Sequence, residues 1–147
     1  MPIPPSLNNR PGALLGIAFR TGQELANRRL APMGLNVRLS GVLNLLAVEP
    51  ISQQELGVQL GIDRTTMVEL IDELEGKGIV VRRRNPDDRR SYAVSLTPEG
   101  KAMQKRAAKA FDAAADEFLN TLKPGERQAL TDMLRKLIVN ADKAKAS

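Results

Sequence analysis

Residues 52–96 read SQQELGVQLGIDRTTMVELIDELEGKGIVVRRRNPDDRRSYAVSL, and this stretch decides the fold. Ser52-Gln53-Gln54-Glu55 has the form of a capping box, in which the serine hydroxyl accepts from the backbone three residues on and Glu55 reaches back. Ile51, Leu56 and Leu60 mark the buried side of a short helix, Gly61 supplies a turn, and Ile62 plugs the space beneath it. A second helix is predicted from about Asp63 to Lys77, where Met67, Leu70, Ile71 and Leu74 have the spacing that puts them on one face. Gly78 stands where helices stop. The period then changes from helical to alternating. Ile79-Val80-Val81-Arg82 reads as a strand, Asn85-Pro86-Asp87-Asp88 as a turn and Tyr92-Ala93-Val94-Ser95-Leu96 as a returning strand. Two short helices joined by a glycine turn, followed by a basic hairpin, describe a winged helix-turn-helix.

On either side the chain reads as helix. Pro2, Pro4, Pro5 and Pro11 predict an extended arm. From Gly12 to about Ala31, Leu14, Ile17, Ala18 and Leu25 recur at helical steps, and Pro32 and Gly34 end the segment. Asn36 to Val48 carries Leu39, Val42, Leu43, Leu45 and Leu46, a short helix expected to be buried. Thr97-Pro98-Glu99-Gly100 opens a long helix to about Leu122, with threonine as cap and glutamate near the positive dipole end. Pro124-Gly125-Glu126 starts the last one, striped by Leu130, Met133, Leu134, Leu137, Ile138 and Ala141. This apolar surface exceeds what one small lobe can hide. Residues 12–31 and 97–143 are therefore expected to be dimerisation helices around a lobe at 36–96. The fold expected is mainly α with a small two- or three-stranded antiparallel wing, one domain over residues 1–147.

Composition narrows the function. The 147 residues include no cysteine and no histidine, which excludes disulfides, thiolate and ordinary zinc sites, cysteine nucleophiles and every histidine-based general base. Neither cofactor nor metal is expected. No nucleophile–base pair, phosphate-cradling glycine loop or clustered carboxylate signature appears, so an enzyme is not expected. No run approaches the roughly 18 apolar residues of a membrane span. Met1-Pro2-Ile3-Pro4-Pro5-Ser6 lacks the basic start and apolar run of a secretory signal, and a cytoplasmic location is expected.

Charge points to the partner. Between Lys77 and Arg90 six basic residues face two acidic ones, a local +4 in a chain whose formal charge is +5. So local an excess is the footprint of a surface that meets a polyanion. The helix before it is opposite in sign: Asp63, Glu69, Asp72, Glu73 and Glu75 against Arg64 and Lys77. The hairpin is therefore expected to supply the attraction and the helix the discrimination. At the helix start, Arg64, Thr65, Thr66 and Val68 are the candidates for base edges, the threonine and valine methyls suiting thymine. Glu69 either accepts from a cytosine amine or is simply exposed. Arg82, Arg83, Arg84 and Arg89 are candidates for phosphate, as are the backbone amides near Ser52 and Gln53. The competing reading is a winged-helix module for protein or RNA contact without sequence-specific duplex binding. Its single-stranded form is disfavoured because only Phe19, Tyr92, Phe111 and Phe118 could stack bases.

These residues resemble the MarR-type winged-helix transcriptional regulators. The likeness is carried by Ser52-Gln53-Gln54-Glu55-Leu56, by Leu74-Glu75-Gly76-Lys77-Gly78-Ile79-Val80, by Asp88-Arg89-Arg90 and by Leu96-Thr97-Pro98-Glu99-Gly100. It covers about residues 12–143. The resemblance implies a homodimer with interlocking terminal helices and two wing lobes reading a palindromic site on double-stranded DNA. It implies that Arg90 is the minor-groove arginine and that Asp88 holds a neighbouring arginine in place. In many relatives a small, often aromatic or phenolic, effector releases the DNA. Ser40-Gly41 stand where relatives often place an aromatic side chain, so one wall of the usual effector pocket is expected to be missing.

Overall fold

A computed structural model describes residues 2–85 and 87–146, with the side chains of Asn85 and residues 88–91 outside the description. Its elements run α1 (Pro11–Leu30), α2 (Val37–Leu46), β1 (Ile51–Ser52), α3 (Gln53–Leu60), α4 (Arg64–Gly76), β2 (Val80–Asn85), β3 (Asp88–Leu96), α5 (Pro98–Phe118) and α6 (Pro124–Ala146). The architecture is mostly helical with one three-stranded antiparallel sheet in the order β1-β3-β2. Among the described residues no helix is long and apolar enough to cross a membrane. The chain divides into two compact units, Met1–Ala114 and Ala115–Ser147.

The first unit holds the core. Leu39, Val42 and Leu43 of α2, Leu56 of α3, Met67, Ile71 and Leu74 of α4, and Val80 and Val94 of the sheet are all buried in one cluster. Leu70 packs against it only partly. Leu30 at the end of α1 and Ala107 of α5 join the same cluster. Asn36 caps α2 by accepting from the Leu39 amide at 2.9 Å, so the helix proper begins at Val37, one residue after the expected start.

Three differences from the sequence reading have local causes. The N-terminal arm is not wholly extended, because Pro5–Leu7 form a single 3-10 turn. The hairpin is longer than its apolar residues suggest, since the pairing continues through Arg83↔Ala93 and Arg84↔Tyr92 to Asn85↔Asp88. Polar strand residues do not announce themselves by hydrophobic alternation. The long helix ends at Phe118 rather than Leu122: Leu119–Thr121 form a turn, and Lys123 precedes a proline, which disfavours helical backbone.

Glu55 also departs from the capping box. Ser52 Oγ accepts from the Glu55 amide at 3.1 Å, but the Glu55 carboxylate accepts from Gln59 at 3.0 Å, one turn on. Ser52 belongs to β1, paired opposite Ala93, so its backbone is held by the sheet.

The junction from α4 to α5 is a close backbone approach. Gly78 takes φ +72°, and the Ile79 amide donates to Leu74 O while the Gly78 amide donates to Glu75 O, a Schellman end sealed by Ile79 against Leu74. The Thr97 hydroxyl donates to Gly78 O at 2.6 Å and accepts from the Gly100 amide at 3.0 Å, capping α5 on the spot where α4 ended. A Cβ on Gly100 would run into the carbonyl oxygen of Ile79. Gly100→Ala is therefore expected to destabilise the protein by about 3 kcal/mol in urea unfolding. Gly125→Ala in α6, where a Cβ meets open space, is expected to be neutral or stabilising. A Gly100→Ala protein with an unmoved midpoint contradicts the close approach.

Candidate nucleic-acid interface

The two helices of the turn motif meet through backbone geometry. Gly61 follows α3 at φ +64°, and the Ile62 amide donates to Gly57 O at 2.9 Å. Only glycine suits position 57, since a Cβ there would stand 2.9 Å from Ile62 O. Asp63 then caps α4. Its carboxylate accepts from the Thr66 amide at 2.9 Å and from the Thr66 hydroxyl at 2.7 Å. Both bonds favour the ionised form, the amide more strongly, and hold the Asp63 carboxyl below the usual carboxylate range.

With Met67, Ile71 and Leu74 turned inward, α4 presents Arg64, Thr65 and Glu69 as exposed residues, while Thr66 and Val68 are half-exposed on its flanks. Beside this face lies an open hollow of about 1020 Å³, lined among others by Gln54, Val58, Arg64, Val68, Arg82 and Tyr92. Val58, on α3, is 71% exposed there. Arg83 and Arg84 are exposed on β2. The side chains of Asp88, Arg89 and Arg90 lie outside the described residues, and only their place at the start of β3 can be given. Ser52 Oγ is committed to the α3 cap, and the Gln53 side chain turns to the sheet.

Arg82 differs from the phosphate-facing role expected of it. It pairs with Val94 in the sheet and shares a face with the buried Val80, so it leans in toward the helices. Its side chain is 19% exposed. Nη1 meets Asp72 at 2.6 Å and Glu75 at 3.4 Å, Nη2 donates to Val68 O at 3.2 Å, and Nε donates to Gln53 Oε1 at 3.1 Å. The Arg82 amide adds a bond to the other oxygen of Glu75 at 3.2 Å.

This reorders the charge of α4. Asp63 is spent on the helix cap, Asp72 and Glu75 on Arg82, and Glu73 on Lys77 at 3.2 Å. Arg82 adds a single positive charge to the linear count, so the helix stays net negative, with Glu69 left exposed between Thr65 and Asp72. Sequence reasoning missed Gln53, Asp72 and Glu75 as parts of one cluster. The available signal was the strand parity of Val80 and Arg82 together with two acids three residues apart on one helix.

A helix-turn-helix with a paired strand hairpin beside its second helix is the class of winged helix-turn-helix proteins. The chain belongs to the MarR family of transcriptional regulators: the family's model matches residues 33–91. It is 34% identical over 129 residues to a Thauera aromatica chain assigned as a transcriptional regulatory protein for the hcr operon, covering 84% of this chain and 78% of that one. Among solved structures it resembles the transcriptional repressor CouR bound to a 23-mer DNA duplex. That match has TM-score 0.84 and 33% identity and covers 94% of this chain and 99% of CouR. It also resembles a MarR-family regulator from Rhodococcus sp. RHA1, with TM-score 0.83 and 29% identity over 91% of this chain and 96% of the other.

The Asp63 cap yields a pH-dependent test. A carboxyl lowered in the folded state contributes stability that is complete above its unfolded pKa, near 3.9, and is lost as pH falls through the folded value. The Tm gap between wild type and Asp63→Ala is expected to be constant above about pH 5 and to close below about pH 4. A gap that survives at pH 2 means the carboxylate is not its source.

Proposed function

We propose that this chain is a homodimeric, non-enzymatic regulator that binds a palindromic site on double-stranded DNA, with α4 in the major groove and the β2–β3 hairpin on the minor groove. The carrying observation is the exposed basic edge of the hairpin beside the second helix of the turn motif. Arg83 and Arg84 are exposed on β2, and three acids of α4 are ion-paired within the lobe, which moderates the repulsion of phosphate that the hairpin has to overcome. In this reading Arg64, Thr65, Thr66 and Val68 reach base edges. Glu69 lies on the same face, where a carboxylate can accept from a cytosine amine. Arg83, Arg84 and Arg89 contribute affinity through phosphate, Arg90 enters the minor groove with Asp88 holding a neighbouring arginine, and the amides around Ser52 and Gln53 face phosphate.

Dimerisation through residues 12–31 and 97–143 is supported by apolar side chains left in solvent. On α1 these are Leu15 and Phe19, the latter 67% exposed; on α6 they are Met133, Leu137, Ile138 and Val139. Stripes of this kind mark interfaces. Repression, lifted by a small-molecule effector, completes the proposal, and the solved likeness to a repressor supports its first half.

Anisotropy titrations against duplexes selected from random sequence test the reading. Log affinity is expected to fall linearly with log salt, losing about a thousandfold between 50 and 200 mM if some six phosphates are met. Arg90→Ala is expected to weaken the selected duplex strongly with Tm nearly unchanged. Failure to retain any duplex in dilute buffer, or Arg90→Ala losing stability but not affinity, overturns it.

A further inference from the structure

We propose that Arg82 is a positioning residue that locks the wing against α4 through Asp72 and Glu75, and so sets the spacing at which helix and hairpin meet the duplex together. The proposal rests on the duplex-binding reading above, but its structural half can be tested without DNA.

The geometry is that of a clamp. β2 and β3 make a hairpin, and a hairpin alone is marginal in water. Its third strand, β1, supports β3 only opposite Ala93 and Val94. Arg82 faces Val94, the inner of the two supported residues; Arg83 faces Ala93, the outer one, and Arg84 lies beyond the support. From this point the Arg82 guanidinium reaches two helices at once: Gln53 of α3, and Val68 O, Asp72 and Glu75 of α4. Nε, Nη1 and Nη2 are all engaged, and the planar fork of a guanidinium fixes direction as well as distance. Glu75 uses both oxygens on the same residue, one on the side chain and one on the backbone amide. A lysine could supply the charge but not this set of directions.

Asp72 is 58% exposed and Glu75 is 44% exposed at their side chains, on the helix proposed to enter the groove. Electrostatics and positioning therefore predict opposite signs. If these acids were merely near the DNA, removing them would reduce repulsion, free Arg82 for phosphate and raise affinity for every duplex. If they hold the wing in place, removing them lowers affinity for the selected site while leaving or raising affinity for an unrelated duplex.

The full-length protein carrying Asp72→Asn with Glu75→Gln, and separately Arg82→Gln and Arg82→Lys, is to be compared with wild type on a duplex selected by wild type and on an unrelated duplex of equal length. Each variant is expected to lose about tenfold on the selected duplex, the scale of one mismatched base pair. The salt slope of Arg82→Gln is expected to stay that of wild type, whereas a phosphate contact would remove about 0.9 from it. Combining all three changes is expected to add little further loss, since the residues act as one cluster. In the free proteins, hydrogen exchange of the β2–β3 amides is expected to quicken in every variant. An acid-free variant that binds the selected duplex as tightly as wild type or more tightly, or hairpin exchange unchanged across the series, overturns the proposal. A wild type that selects no duplex, with hairpin exchange still quickened in the variants, sinks the DNA reading and leaves the clamp standing.

Discussion

One guanidinium, that of Arg82, joins α3, α4 and β2 at the corner where they meet. Arg82 stands within 3.4 Å of two carboxylates, and Lys77 within 3.2 Å of a third. The two cations offset two of these three carboxylates at distances beyond the screening length of about 8 Å at physiological ionic strength. An approaching polyanion therefore meets a helix one charge less acidic than the linear count, beside the arginines of the hairpin. Partly exposed pairs of this kind contribute little to folding stability. Their effect is on the field and on the angle between elements.

That corner needs its three elements to arrive at fixed angles, and the backbone supplies this. Gly61 and Gly78, both left-handed, end α3 and α4 without a spare residue. Gly57 admits the carbonyl of Ile62, and Gly100 admits that of Ile79, so the helix pair and the start of α5 approach more closely than any side chain would allow. Val80 and Val94 anchor the sheet in the same cluster that buries Met67, Ile71 and Leu74. Because Val80 is fixed inward, strand alternation fixes Arg82 inward as well. The polar corner is a consequence of the apolar core.

The core is built from aliphatic residues, as the 3% aromatic content requires, and it is confined to the first unit. Phe19 remains largely in solvent and Phe111 is 41% exposed. Ser40 is buried with its hydroxyl unpartnered among the described residues, and a Cβ on Gly41 would meet Leu60 at 3.4 Å. The pair read from the sequence as a missing aromatic wall is thus a small and closely packed part of α2.

Helix-turn-helix and hairpin were legible because each is punctuated by residues whose physics is local: Ser52 as a cap, Gly61 and Gly78 as turns, and the change of period after Gly78. The two-residue strand Ile51–Ser52 was not, because it exists only through its pairing with β3 and has no period of its own. Charge was legible as a total and misleading as a distribution. Counting along the chain assigns Arg82 to the hairpin and Asp72 to the helix, as if each faced solvent on its own element. Folding places them 2.6 Å apart, and the same two residues that made the helix look too acidic and the wing uniformly basic neutralise each other. Parity along β2 and three-residue spacing along α4 are both local patterns, so the pairing could have been inferred by asking which charged residues share a face with buried ones. A charge on the inner face of a strand has to find a counter-charge on the element packed there, because burial without one costs more than the fold can supply.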